Sequence, residues 1–333
     1  MARERLRALL RGDAVDRLPV AAWRHFPQDD QAPAELAASV VADQRSWDWD
    51  FVKVTPAQTF LAEVWGVEGA YTGNSMGIRD FVHRPVASLS DWGKVQAVDG
   101  PTRRRVISDY RRSIELVREA LGAEAVILGT VFSPLSVARY LCGDELFTPS
   151  VRLAREALDR YLANATEVVC ELVTEVLSAG ADGCFVSLFS AGAGPFSEAE
   201  YTDVALASDA AVFESAAAGW FNIAHFHSPY PFLGLCNQYA VQAVSWDLHD
   251  GGPSVLEAHA LCGDKVLVGG VDQRGWLLAL TADQVRMRVR DLVDGVEAGA
   301  SRAGLRLVVA PGCTVPQTTP LGNLRSMRRS VGE

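Results

Sequence analysis

Residues 125–133 read Ala-Val-Ile-Leu-Gly-Thr-Val-Phe-Ser, an almost unbroken apolar run rich in β-branched side chains. A strand with one wet face alternates apolar and polar residues; this run does not. It predicts a strand of a parallel sheet covered by helices. The flanks agree. Residues 102–121 place Val106, Ile107, Tyr110, Ile114 and Val117 at helical spacing, and residues 148–178 span two or more helical lengths. Working outward, similar apolar runs occur at 18–26, 50–56, 183–189, 220–228, 243–248, 266–272 and 306–313. A further helix is expected over 281–296, where Thr281 and Gln284 come close to a capping box. Eight strands alternating with helices predict an α/β fold, a (β/α)8 TIM barrel. A doubly wound open sheet is the alternative. No GxGxxG follows the first strand and no Walker loop occurs, which counts against it.

Two segments exceed a minimal barrel. Residues 57–124 form a long excursion after strand 2, expected to place a small hairpin over the barrel mouth. Residues 190–219 open with Ala191-Gly192-Ala193-Gly194-Pro195-Phe196, which either approaches a ligand closely or is a plain strand-to-helix turn. No linker composition appears, so residues 1–333 read as a single domain.

Composition narrows the class. The chain has 333 residues, 49% hydrophobic and 22% charged, as in an ordinary globular protein. Its 31 basic and 41 acidic residues give a net charge of −10, which argues against nucleic acid or an anionic membrane as the main partner. The six cysteines form no CxxC pair, and neither a signal peptide nor an apolar membrane span is present, so a cytoplasmic, reducing setting is expected.

In barrels of this type the chemistry lies at the C-terminal ends of the strands. Those ends offer Arg24 and His25, Lys53 and Thr55, Ser133, Ser190, His225 and His227, Asp247, Asp272 and Cys313. His225-Phe226-His227 is the sharpest local signal, because residues i and i+2 of a strand share a face. With Cys313 from the last strand, the two imidazoles make a His2Cys metal set; without a metal, they bind carboxylates or move protons. Asp247 is a catalytic or orienting carboxylate on the neighbouring strand. Arg24 either grips a substrate carboxylate or pairs with Asp29 or Asp30. Lys53 is either a buried functional amine or an outward-snorkelling one. His25 and Ser190 complete the candidate substrate-binding set.

The chain resembles the uroporphyrinogen decarboxylase superfamily, which includes corrinoid-dependent, zinc-using methyltransferases. The resemblance rests on Glu4 to Gly12, on Asp16-Arg17-Leu18-Pro19-Val20, and on Asp50 to Val54 followed by Ala62-Glu63-Val64-Trp65-Gly66. Ser133-Pro134-Leu135 with Tyr140 resembles the segment carrying the decarboxylase's active-site tyrosine. Pro311-Gly312-Cys313-Thr314-Val315-Pro316 with Asn323 resembles the closing motif. It implies a (β/α)8 barrel, a catalytic role for Tyr140, and a homodimer. The departures point away from porphyrinogen chemistry. Gln28 stands where a second arginine is expected, no aspartate ends strand 2, and Cys313 replaces a histidine.

The methyltransferase branch implies a metal on HxC plus the closing cysteine. Here His225, His227 and Cys313 offer one imidazole more and one thiolate fewer. Zinc fits first; iron, cobalt, nickel and copper are compatible. The reading is a metal-dependent methyl- or alkyltransferase acting on a small carboxylate- or thiol-bearing substrate, with a corrinoid carried by a partner protein. The alternatives are a metal-free decarboxylase and a non-catalytic corrinoid- or tetrapyrrole-binding protein.

Overall fold

The computed structural model describes residues 1–95 and 100–332. Its strands are β1 (Val52–Val54), β2 (Glu68–Ala70), β3 (Asp80–His83), β4 (Ile127–Phe132), β5 (Gly183–Phe189), β6 (Ile223–His227), β7 (Ala243–Trp246), β8 (Val266–Val271) and β9 (Leu307–Pro311). Helices are α1 (Ala2–Arg11), α2 (Pro33–Trp47), α3 (Gly100–Leu121), α4 (Pro134–Leu153), α5 (Arg155–Ser178), α6 (Glu198–Ser215), α7 (Val255–Cys262), α8 (Trp276–Ala279), α9 (Ala282–Ala303) and α10 (Leu321–Arg329). Seven strands form one parallel sheet in the order β1-β4-β5-β6-β7-β8-β9. Every residue of β4, β8 and β9 is buried, as expected for a sheet covered on both faces.

The segment before α2 closes the sheet into a barrel. Val20 bridges Val309 in parallel; the Ala21 N–H donates to Val309 O at 3.0 Å and the Asp50 N–H to Val20 O at 2.9 Å. The strand expected over 18–26 thus contributes a single ladder position, while the other seven expected strands are all present. The fold is TIM-barrel-like. Among the described residues, no helix is long and apolar enough to cross a membrane.

The excursion after β1 contains the antiparallel β2–β3 hairpin. Gln317 ties its turn to the closing segment: its N–H donates to Ser75 O at 2.7 Å and its Nε2 to His25 O at 2.7 Å. Residues 96–99 of the excursion lie outside the described residues. The α9 cap forms as expected, with Thr281 N donating to Gln284 Oε1 at 2.9 Å, and the helix runs on to Ala303. In the loop after β5, a Cβ at Gly192 would meet Pro229 O at 2.4 Å. That glycine is required by backbone packing against the segment after β6, with which Gly192 forms a bridge at Pro231.

Candidate functional site

Strand alternation turns both His225 and His227 of β6 to the barrel interior, with ring centroids 5.4 Å apart. The register sets His225 beside Ser245 of β7, whose Oγ lies 3.1 Å from His225 Nδ1 and leaves Nε2 free for the interior. Cys313 enters from the turn after β9. The three side chains offer donor atoms that all lie within 4.8 Å of one another. Ligands at 2.0–2.3 Å from zinc are separated by roughly 3.5 Å, so small side-chain rotations close this set around one ion. The chemistry of the donors, two imidazoles and a thiol, suits a divalent cation with an open position.

The electrostatics point the same way. Burial opposes ionisation of Cys313, but the neighbouring His227 and His225 imidazoles outweigh it and hold the thiol well below its ordinary value. Burial works against a charge on His227 too, and the Cys313 thiolate overrides it, raising that imidazole. For His225 burial prevails and the pKa falls. The thiolate needed of a ligand is therefore favoured before any metal arrives.

These groups open on a cavity of about 280 Å³. One wall is aromatic: Tyr140 packs on Phe132 and Phe189 with centroids 5.5 Å apart, and Phe189 lies 4.0 Å from His227. Tyr140 is placed there because Ser133 caps α4, accepting from the Ser136 N–H at 3.3 Å, with Pro134 in the first turn. Met76 and Ile78 of the hairpin turn form the roof. Lys53 and His25 also line the cavity. The Lys53 ammonium sits 4.9 Å from the Phe185 ring centroid, and its hydrogen-bond partner is the neutral Thr55 hydroxyl at 3.3 Å. Burial lowers the Lys53 amine to about 7 and His25 to about 4. His25 is 7% exposed and its Nδ1 has no hydrogen-bond partner among the described residues.

Three expected residues are placed differently. Arg24 does not reach the cavity. It turns outward toward α2, where its Nε lies 3.5 Å from Asp43, not from Asp29 or Asp30. The reason is alternation: Trp23 and His25 face the cavity, so the residue between them faces the helix layer. Ser190 is fully buried at a left-handed φ of 76°, and its hydroxyl accepts from Arg139 at 3.1 Å. It orients that arginine instead of lining the cavity. Asp247 lines an adjoining crevice of about 220 Å³ that it shares with His225, His227 and Cys313, and accepts from Gln273 at 2.6 Å.

The cations absent from the expectation are Arg84, Arg139 and Arg274, all on the cavity wall. Arg84 stacks on Phe81 of the hairpin at 3.6 Å from its centroid, and Arg139 pairs with Asp144 at 2.7 Å. Arg274 is exposed and has no ion pair among the described residues. Adjacency was the available signal: Arg139 precedes Tyr140, and Arg274 follows the end of β8 by three residues.

Comparison with known proteins places this geometry in a family. The family model for uroporphyrinogen decarboxylase (URO-D) matches residues 1–333. The methylcobamide:CoM methyltransferase MtaA of Methanosarcina barkeri is 23% identical over 97% of this chain and 95% of its own length. A uroporphyrinogen decarboxylase of Mycolicibacterium gilvum is 28% identical, over 66% of this chain and 64% of its own length. The solved structure of a methyltransferase from Methanosarcina mazei superposes with a TM-score of 0.83 at 20% identity, covering 99% of this chain and 97% of that one. The chain belongs to the uroporphyrinogen decarboxylase family, on its methyltransferase-like side.

Proposed function

We propose that the protein transfers a methyl or small alkyl group to or from a thiol, in a site where His225, His227 and Cys313 hold a divalent metal, zinc first. The observation carrying this reading is the convergence of two imidazoles and a thiol within 4.8 Å at one end of the barrel. A divalent cation bound there supplies Lewis acidity, which makes a thiolate available near neutral pH. This chain's own residues do the rest. Ser245 orients the His225 ring through Nδ1. Phe132, Tyr140 and Phe189 form a wall that keeps water from the reacting sulfur and packs on the substrate's carbon chain.

Lys53 and His25 take the anionic end of the substrate. A buried ammonium whose hydrogen-bond partner is one neutral hydroxyl is costly until an anion joins it. The rim arginines Arg84, Arg139 and Arg274 then face a partner that delivers the group. On the model of methylcobamide-using relatives, that partner is a corrinoid protein. Residues 1–333 act as one barrel domain.

The test is metal analysis of purified protein after zinc supplementation, joined to an assay of methylcobalamin with 3-mercaptopropionate and with 2-mercaptoethanol. Bound metal and demethylation of the cobalamin are expected, faster with the anionic thiol. Protein that stays metal-free and turns over uroporphyrinogen overturns the reading in favour of decarboxylation.

A further inference from the structure

Next to Cys313, the ends of three strands meet through one amide. Asp247 follows β7 directly. Its Oδ1 accepts from the His249 N–H at 2.9 Å and its Oδ2 from Gln273 Nε2 at 2.6 Å. Gln273, just past β8, is 1% exposed. The Gly312 N–H, one residue before Cys313, is shared between Gln273 Oε1 at 3.0 Å and Val271 O at 3.1 Å. The two partners fix the orientation of the amide. Flipped, it would set its NH2 against an N–H and its oxygen against a carboxylate. Position 312 also has no room for a side chain, since a Cβ there would lie 2.6 Å from the Asp247 carboxyl.

We propose that Gln273 is a positioning residue whose amide couples the Asp247 carboxylate to the Gly312 N–H and so holds the Cys313 sulfur in register with His225 and His227. Asp247 then acts on Cys313 through Gln273. The chemistry of the position explains the residue type. Only a group that donates and accepts at once serves both partners. A carboxylate would meet Asp247 with like charge, and an apolar side chain would take the donor from the Asp247 carboxylate and leave the Gly312 N–H on Val271 O alone.

This inference rests on the metal reading in two of its three readouts, and the alkylation arm is independent of it. The variants are Gln273→Glu, Asp247→Asn and the two together. The double variant reverses the donor and acceptor across the 247–273 contact while keeping an acceptor for the Gly312 N–H. The readouts are the iodoacetamide alkylation rate of Cys313 in metal-free protein, followed by peptide mass spectrometry, zinc affinity by chelator competition, and the thiolate-to-cobalt absorption band of cobalt(II)-loaded protein. Gln273→Glu is expected to weaken zinc about 10–100-fold, as loss of groups that orient metal ligands generally does, and to alter the cobalt band and the alkylation rate. The double variant is expected to recover all three toward wild type. Wild-type values in Gln273→Glu overturn the proposal. So does a folded double variant that does no better than Gln273→Glu. If Gln273→Glu fails to fold, a double variant that folds and matches wild type supports the coupling, and one resembling Asp247→Asn alone overturns it. If wild-type protein binds no metal, the function proposed above falls, while the alkylation arm still decides the role of Gln273.

Discussion

At the N-terminal ends of the strands, Asp50 and Asp182 are buried carboxylates surrounded by donors. Asp50, 1% exposed, accepts from Arg5, from Arg17 at 2.7 Å and from the Val20 N–H at 2.7 Å. Asp182 accepts from Arg3 and Arg118 at 2.6 Å each, Trp220 at 2.8 Å and the Ile127 N–H at 2.9 Å. At the C-terminal ends, Lys53 rests on a hydroxyl and a ring face, His25 Nδ1 has no hydrogen-bond partner among the described residues, and Cys313 is a thiol drawn toward ionisation by two imidazoles. Both ends bury ionisable groups; the first satisfies both carboxylates within the chain, while at the second Asp247 is satisfied and Lys53 and His25 Nδ1 are left short of partners among the described residues. The difference assigns stability to one end and binding to the other, because an unsatisfied buried group is stabilised only by something that arrives from outside.

That contrast can be broken from either side. The largest effect is expected at the satisfied end. Asp50→Ala leaves Arg5 with Asp16 alone, Arg17 with only the Leu18 carbonyl and the Val20 N–H unpaired, and should cost about 3 kcal/mol in chemical denaturation, with metal binding by the folded fraction unchanged. A loss of metal affinity equal to that of a mouth variant would erase the distinction. Next comes Cys313→Ala. Dividing the ~10–16 kcal/mol typical of a zinc site among its ligands, it should weaken zinc by about 3 kcal/mol, or roughly a hundredfold or more, with little change in metal-free stability.

Lys53→Met should do the opposite of Asp50→Ala: raise metal-free stability by about 1–2 kcal/mol while weakening a small carboxylate probe about tenfold in calorimetry. The sign with pH is defined. Burial lowers the Lys53 amine from 10.5 to about 7, so across that interval the unfolded chain holds a proton the native one lacks. The penalty is full below about 7 and is relieved as pH rises toward 10.5, so wild-type stability gains with pH there and the Met variant loses that gain. His25 does the same between about 4 and 6.5. The smallest effect is expected for Arg24→Ala, under about 1 kcal/mol in stability and none on probe binding, since its contact with Asp43 is long, at 3.5 Å, and lies away from the cavity. A large loss of probe affinity would return Arg24 to the mouth.

Much of the site was legible along the chain. His225 and His227 share a face because side chains alternate, and Cys313 ends the final apolar run; neither inference needs tertiary detail. The same alternation bears on Arg24 and His25. Neighbours on an extended segment point opposite ways, so both could not enter the cavity, but periodicity does not say which one does. The closing bridge at Val20 and Val309 settles it in favour of His25. Arg139 was legible only through its adjacency to Tyr140, and Arg84 was not legible as a cavity residue. They arrive from the hairpin after β1 and from α4, and no local pattern says where such elements fold back.

Apolar runs and helical spacing determine the barrel, since eight strands buried on both faces have few other ways to be covered. They also determine which strand ends carry ionisable groups. The three-dimensional packing decides which of those groups are satisfied. Arg24 finds Asp43, Ser190 finds Arg139 and Asp247 finds Gln273 through long-range contacts, and Lys53, among the described residues, finds a neutral hydroxyl and the field of Cys313 but no carboxylate. Whether a buried charge is paired is a relation between residues distant in the chain, and it depends on side-chain direction at each. Sequence spacing carries that information within a strand or a helix, and not between them.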